Sequence, residues 1–497
     1  MMLLAAILAV SPAPAAACDQ PVAEARFELG SSDPTNVQLV LAQREGCRAD
    51  IQSHSDHWRP ISSAAYGASD PAGTSIRLVA DLGADEALGQ YRPAFRFGEH
   101  GLVVYGPYLP SLAGARITLA VGDQTYGVIA GDATLGNVLL GPAGAIAACG
   151  SDLSVASDAP PELTSAACSA AAQALDYYRA AWPEPLAVSA EMIIAHDATG
   201  PMGLIGDVTP PALLTLRLGG AIWTSPPEDA ANALHRLIAH EIFHVFQLAA
   251  GIGADQPDWL REGSAEYAAL LARSHALEHG PAQVASRLEL AGNSCLSLLA
   301  DGSFLDLGSG RSYATYSCGL LAVWASDAGP GRQPGERFWD NLNQRAGETD
   351  ERWRMARRVL GASTHQDWSR IAAELSSDEL QVEFGVNDDA YRLAILGTLI
   401  AETCAGVDAG IEISGENMRL KTGADCGALS GDPDVISIAG QALLEDAEAA
   451  HGMLAGCHAD DRLAVGLGEG RSFQLPCPVD VEIPSPGFTI RPRPTTR

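Results

Sequence analysis

The sequence predicts an α+β protein of several domains, with β-rich segments at both ends and a mostly helical centre. Three observations predict it. The chain has 497 residues, enough for about three domains at roughly 150 residues each. Short runs of strand-like alternation, broken by Gly, Asp and Pro, fill residues 23 to about 140 and return after about 381, the pattern of sandwich-like modules. Between them, from Pro161 to about Leu375, the apolar residues recur with helical spacing. The expected division is a leader over 1–17, a β-rich module over 18–150, a central domain over 151–380 and a second β-rich module over 381–497, closed by a Pro-rich tail expected to be extended or frayed.

In chain order, Met1–Val10 is an apolar run, followed by Pro12, Pro14 and the small residues Ala15–Ala17, the pattern of a cleaved signal peptide. A run of that length falls short of the ~20 residues that span a bilayer. No later stretch is long and apolar enough to cross one, so no transmembrane segment is expected and the mature chain is periplasmic or extracellular. The ten cysteines fall into neighbouring couples, Cys18/Cys47, Cys149/Cys168, Cys295/Cys318, Cys404/Cys426 and Cys457/Cys477. An even number in short-range couples suits an oxidising compartment, although spacing alone leaves connectivity open. Lipid anchoring through Cys18 is the lesser alternative, because it would leave Cys47 without its neighbour.

The strands expected in the first module are Ala23–Leu29, Val37–Ala42, Ser75–Ala80, Gly101–Tyr105 and Arg116–Val121. The central domain opens with an Ala-rich helix, Pro161–Trp182, followed by strands at Ala187–Ala195 and Ala212–Leu218. A further helix begins at the capping-box sequence Ser225-Pro226-Pro227-Glu228 and stops at Gly251. Its apolar residues, Leu234, Leu237, Ile238, Ile242, Phe243, Val245 and Phe246, cover most of the circumference, so it is buried.

That helix carries His240-Glu241-Ile242-Phe243-His244, an H-E-x-x-H motif. Histidines four apart share one face, about 6 Å apart along the axis, and both reach one cation at Zn–N distances of ~2.0–2.1 Å. Glu241 falls beside the ion rather than on it, where a carboxylate serves as a general base towards water. Without a cation, a Glu buried between two His would be costly. A third ligand is offered by Glu262 in Pro257-Asp-Trp-Leu-Arg-Glu-Gly-Ser-Ala-Glu-Tyr267, a second helix on which Glu262, Ala265, Glu266, Ala269 and Leu270 share a face.

These residues resemble the gluzincin metallopeptidases, the zincin-like group that includes thermolysin-like and aminopeptidase N-like enzymes. The resemblance covers about residues 160–375. It implies that Glu262 completes a Zn²⁺ site with His240 and His244, one ion per chain, and that Glu266 orients a ligating histidine through its other ring nitrogen. It also implies a tyrosine that donates to the developing oxyanion: Tyr316, in Tyr316-Ser317-Cys318-Gly319, with Tyr313 next. The sheet edge on which an extended peptide pairs is expected at Ala212–Leu218. Two departures stand out. The His244-to-Glu262 spacing is one residue shorter than in aminopeptidase N-like enzymes, and the G-x-M-E-N segment that binds a free amine is missing. Internal cleavage of a peptide or protein substrate is therefore expected over aminopeptidase action.

Other functions are excluded or outweighed. A formal net charge of −30, with Lys421 the single lysine, leaves no basic face for nucleic acid or anionic lipid. No G-x-S-x-G, phosphate loop or dinucleotide fingerprint occurs. The inverted motif His275-Ala-Leu-Glu278-His279 sits at a helix end, where histidines suit the dipole without a metal. The competing reading is a non-catalytic secreted binding or scaffold protein with a metallopeptidase-like domain; the intact His240, Glu241, His244 and Glu262 favour the enzyme.

Overall fold

The computed structural model describes residues 22–29, 36–44, 58–60, 75–82, 91–109, 112–252, 256–276, 280–299, 302–307, 313–328, 335–342, 353–377, 380–404, 409–414, 417–422, 426–430, 435–443, 446–458, 461–467, 470–478 and 480–493. The leader over 1–17, Cys18 and Cys47 lie outside them. The chain divides into two compact units: residues 1–280 with 337–349, and residues 281–336 with 350–497.

In the first unit, β1 (Val22–Leu29), β2 (Asn36–Gln43), β3 (Arg59–Pro60), β4 (Ser75–Asp81), β5 (Ala94–Phe97), β6 (Gly101–Tyr105), β7 (Arg116–Val121), β8 (Gln124–Gly131) and β9 (Asn137–Gly141) form one sheet. Its order is β3-β4-β2-β1-β7-β8-β9-β6-β5. It is antiparallel except where β1 runs parallel to β7. Alternation places Ala25, Phe27 and Leu29 of β1 with Val37, Leu39 and Leu41 of β2 on the buried face. Trp58, Leu78, Leu102 and Leu119 complete that core.

A second sheet holds β10 (Ile146–Ala148), β11 (Leu153–Ser157), β12 (Ala190–Asp197), β13 (Gly203–Thr209) and β14 (Leu213–Gly219), in the order β10-β11-β12-β14-β13. Strands β11, β12 and β14 run parallel; β10 and β13 close the two edges antiparallel. The strand expected at the edge, Ala212–Leu218, is therefore interior. The edge is β13, a Gly-containing half-buried run whose weak apolar alternation hides it in the sequence. Parallel strands need crossovers, and α1 (Pro161–Ala181) supplies the one between β11 and β12. The two sheets share a core: Phe95, Phe97, Val103 and Leu139 of the first meet Ala156, Ile193, Ala195 and Leu213 of the second.

Helices α1, α2 (Glu228–Ala249) and α3 (Asp258–Ala276) pack on one another, and α2 lies against β13 and β14. Tyr178 and Trp182 of α1 meet Phe243 and Phe246 of α2 and Phe338 and Trp339 of the short helix α6 (Glu336–Leu342) in one aromatic cluster.

The second unit contains α4 (Gly280–Leu299) beyond its first residue, α5 (Tyr313–Asp327), α7 (Arg354–Leu360), α8 (His365–Leu375), β15 (Leu380–Gly385), α9 (Asp388–Thr403), β16 (Ala409–Ser414) and β17 (Asn417–Thr422). Next come β18 (Val435–Ile438), β19 (Gln441–Ala442), α10 (Ala447–Ala455), β20 (Arg462–Leu467), β21 (Ser472–Pro476) and β22 (Gly487–Pro492). A module of short strands and turns was expected here, yet it includes two helices. Each has a polar cap: the Asn387 side chain accepts from the Ala390 N–H, and that of Asp446 from the Ala449 N–H. The Pro-rich tail forms β22, paired with β15. Its Phe488 is gripped by Asn293 of α4, whose side chain accepts from the Phe488 N–H at 2.7 Å and donates to the Phe488 carbonyl at 3.1 Å.

Four disulfides occur among the described residues: Cys149–Cys168, Cys295–Cys318, Cys404–Cys426 and Cys457–Cys477, with Cα separations of 5.4, 4.8, 4.5 and 5.5 Å. No helix among the described residues is long and apolar enough to cross a membrane. Non-reducing peptide mapping is expected to recover these four linkages; a cross-link between different couples would contradict the fold.

Candidate metal centre

Helix α2 positions the first two candidate ligands. The expected capping box is absent: Pro227 occupies the N-cap and no side chain bonds there. Glu228 and Asp229 in the first turn complement the helix dipole instead. At the other end Gly251 adopts φ +65°, and the Gly251 N–H donates back to the Leu248 carbonyl at 3.0 Å, a glycine stop. From α1, the Tyr178 hydroxyl donates to the Ala239 carbonyl at 3.0 Å, fixing the helix beside His240. Helix α3 brings Glu262 from the far side of a short connection, with Gly263, Ser264 and Ala265 buried against its neighbours.

Three side-chain atoms converge. His240 Nε2 and His244 Nε2 lie 3.0 Å apart, and Glu262 Oε2 lies 3.3 Å from the first and 3.2 Å from the second. Among the described residues this is the group that could hold a metal ion. A tetrahedral ion with ligand bonds of ~2.0–2.1 Å has ligand–ligand edges of about 3.3 Å; the two edges to Glu262 match it, and the His240–His244 edge would open by about 0.3 Å. The donor set, two imidazoles and a carboxylate, is that of catalytic zinc sites with one coordination position left over.

The surroundings orient each donor. The His244 Nδ1–H donates to Gln247 Oε1 at 2.7 Å, which assigns the proton to Nδ1 and leaves Nε2 facing the cluster. His240 Nδ1 lies 3.3 Å from Glu266 Oε1, and Arg236 grips both oxygens of Glu266 at 2.9 and 2.8 Å. Glu266 is buried, not a solvated helix residue. Arg261 donates to Glu262 Oε1 from Nε at 3.2 Å and Nη2 at 3.0 Å, which leaves Oε2 for the cluster. Gln247, Arg236 and Arg261 were missed in the sequence; only Gln247, one turn after His244 on the same helix, carried a readable signal.

Glu241 is buried and not among the converging ligands. It sits beneath the edge strand: a Cβ placed on Gly206 of β13 would come within 2.9 Å of Glu241 Cγ and Oε1. Burial pushes the Glu241 carboxyl up, against the opposing charges of His240 and His244. Burial would depress His240, but its hydrogen bonds to Glu262 and Glu266 and the charge of Glu241 outweigh that and push it up to about 10. For Glu262, burial acts upward and is overwhelmed by the charges and hydrogen bonds of His244 and His240, which hold its carboxyl far below the usual range.

Of the remaining candidates, Tyr316 and Tyr313 are on α5 in the second unit, Tyr316 half-buried and Tyr313 exposed. Of the inverted motif, His275 ends α3 against Tyr177, with ring centroids 5.3 Å apart, while Glu278 and His279 lie outside the described residues. A groove of about 1000 Å³, lined by residues such as Gly131, Asp152, Glu191 and Val245, includes none of the converging ligands.

No protein-family profile and no curated protein matches the chain. Among solved structures it is similar to native yeast leukotriene A4 hydrolase, at 10% identity and a TM-score of 0.37, over 77% of this chain and 72% of that one. A second structure of that native enzyme, from Saccharomyces cerevisiae, gives 12% identity and a TM-score of 0.34, over 65% of this chain and 61% of that one. The yeast enzyme in complex with bestatin gives 11% and 0.35, over 79% and 75%.

A metal must take His240 in its neutral form, whereas the stripped protein holds a proton there up to about pH 10. Zinc uptake near neutral pH is therefore expected to release about one proton per ion, and affinity should rise with pH until that proton is lost. Titration calorimetry in buffers of different ionisation enthalpy measures the release; uptake without it would contradict the arrangement.

Proposed function

We propose that this chain is an exported zinc peptidase that hydrolyses internal bonds of peptide or protein substrates. The observation that carries the reading is the convergence of His240 Nε2, His244 Nε2 and Glu262 Oε2 within 3.3 Å of one another, with Glu241 buried next to the first of them. Zinc bound there would activate water for attack and polarise the scissile carbonyl as a Lewis acid.

Glu241 would take a proton from the attacking water and later deliver it to the leaving amine, as general base and then acid. Gln247 and Glu266 would keep the imidazoles aimed, and Arg261 would hold Glu262 to a single donating oxygen. Tyr316 is proposed as the hydrogen-bond donor to the oxyanion, on the gluzincin resemblance. The same resemblance makes 151–380 the catalytic segment and 18–150 and 381–497 its flanking modules. Edge strand β13, with one side unpaired among the described strands, is the proposed pairing site for an extended substrate. Export is supported by the four disulfides.

Replacing Glu241 by Gln is expected to keep stoichiometric zinc while lowering turnover of casein by roughly 10²–10⁴-fold. The comparison needs wild type with and without chelator; equal activity in the variant would overturn the mechanism.

A further inference from the structure

Asn137 of the N-terminal sheet bonds to the strand that lies over Glu241. Asn137, the first residue of β9, is almost fully buried and directs its hydrogen bonds into the other sheet. Its backbone N–H donates to Thr209 Oγ1 at 3.0 Å, and its Nδ2 donates to Asp207 Oδ1 at 2.8 Å and to Thr215 Oγ1 at 3.2 Å. The preceding Gly136 abuts Thr209 so closely that a Cβ there would lie 2.3 Å from the Thr209 Cβ. Asp207 and Thr209 belong to β13, and Thr215 is the β14 partner of Asp207.

Side chains alternate across a strand. Asp207 and Thr209 turn towards Asn137, so Gly206, the residue before Asp207, turns the opposite way, onto Glu241. That face admits no side chain, because a Cβ at position 206 already approaches the Glu241 carboxylate to 2.9 Å. Among the described strands, β13 pairs with β14 only, as an edge strand. A slip of one residue would exchange its two faces and bring Ile205 or Asp207 over Glu241. The apolar core that joins the sheets draws on Ile193 and Ala195 of β12 and Leu213 of β14 rather than on β13, whose side chains are mostly half-buried. A buried, directional polar network resists such a slip, since any other register strands its donors and acceptors.

We infer that Asn137 is a positioning residue for this site: by fixing Asp207 and Thr209 it sets the register of the edge strand, and so keeps Gly206 flush over Glu241. The N-terminal sheet is then part of the hydrolytic machinery rather than an appended module. The inference rests on the peptidase reading for its effect on turnover, but not for its effect on the strand.

The experiment exchanges donor and acceptor. Asn137→Asp sets two carboxylates against each other; adding Asp207→Asn restores the pair with its polarity reversed, and the rotatable Thr215 hydroxyl serves either arrangement. Hydrogen exchange of the β13 amides and steady-state kinetics are measured on zinc-loaded wild type, single variant and double variant. In the single variant the β13 amides are expected to exchange faster, and kcat to fall by up to roughly 10²-fold with zinc content unchanged and KM moving less. The double variant recovers both. Should Asn137→Asp not fold, Thr209→Val removes one acceptor at nearly constant shape, and the same amides are read. Unchanged β13 exchange in these variants, or no recovery in the double variant, would overturn the inference. If wild type cleaves nothing, the peptidase reading fails while the exchange comparison still decides this one.

Discussion

The rest of the structure depends on one electrostatic constraint: three lone-pair-bearing atoms, two imidazole nitrogens and a carboxylate oxygen, held within 3.3 Å of one another in a buried site. Such atoms tolerate that proximity only if something positive lies among them, a proton or a metal ion. The raised His240 and lowered Glu262 show how strongly the site favours positive charge. With edges of 3.0–3.3 Å, the ligand triangle is close to that of a tetrahedral ion, so a metal such as zinc could meet this demand with little movement. The same demand explains the polar groups around it. Buried Glu266 and Gln247 and part-buried Arg236 and Arg261 each bond to an atom that the site needs fixed.

Packing holds this cluster on a buried helix of the first unit. Helix α2 is clamped by aromatic rings from α1 and α6 on one side and by β13 and β14 on another. Positioning errors of an ångström would matter for the proposed catalysis, and a buried helix holds side chains more firmly than a loop does. Beside the site, β13 pairs with no strand on its outer side among the described residues; α2 packs on it, and Asn137 bonds its Asp207 and Thr209.

Much of this was legible in the sequence, and the reasons differ by residue. His240, Glu241, His244 and Glu262 announce themselves because metal chemistry dictates residue type and helical spacing together. Helices α1 and α2 follow from apolar periodicity, and the glycine stop at Gly251 lies where a left-handed conformation is needed. The edge strand did not show, because position within a sheet is set by long-range pairing that local alternation does not encode: β14 reads like β13's neighbour or like an edge equally well. The helix start also deceived, since Pro227 took the cap that Ser225 was expected to provide. Asn137 had no sequence signal at all. Its partners lie some seventy residues downstream, and an isolated Asn at a strand start normally marks a turn.

The central claim, that two helices deliver three ligands to one ion, is tested most directly by zinc stoichiometry in wild type and in Glu262→Ala, each purified under identical conditions. The account predicts one zinc per chain in the wild type and a much weaker, substoichiometric zinc content in the variant, with the fold retained. Equal zinc in both proteins, or no zinc uptake by the intact wild type, would contradict it.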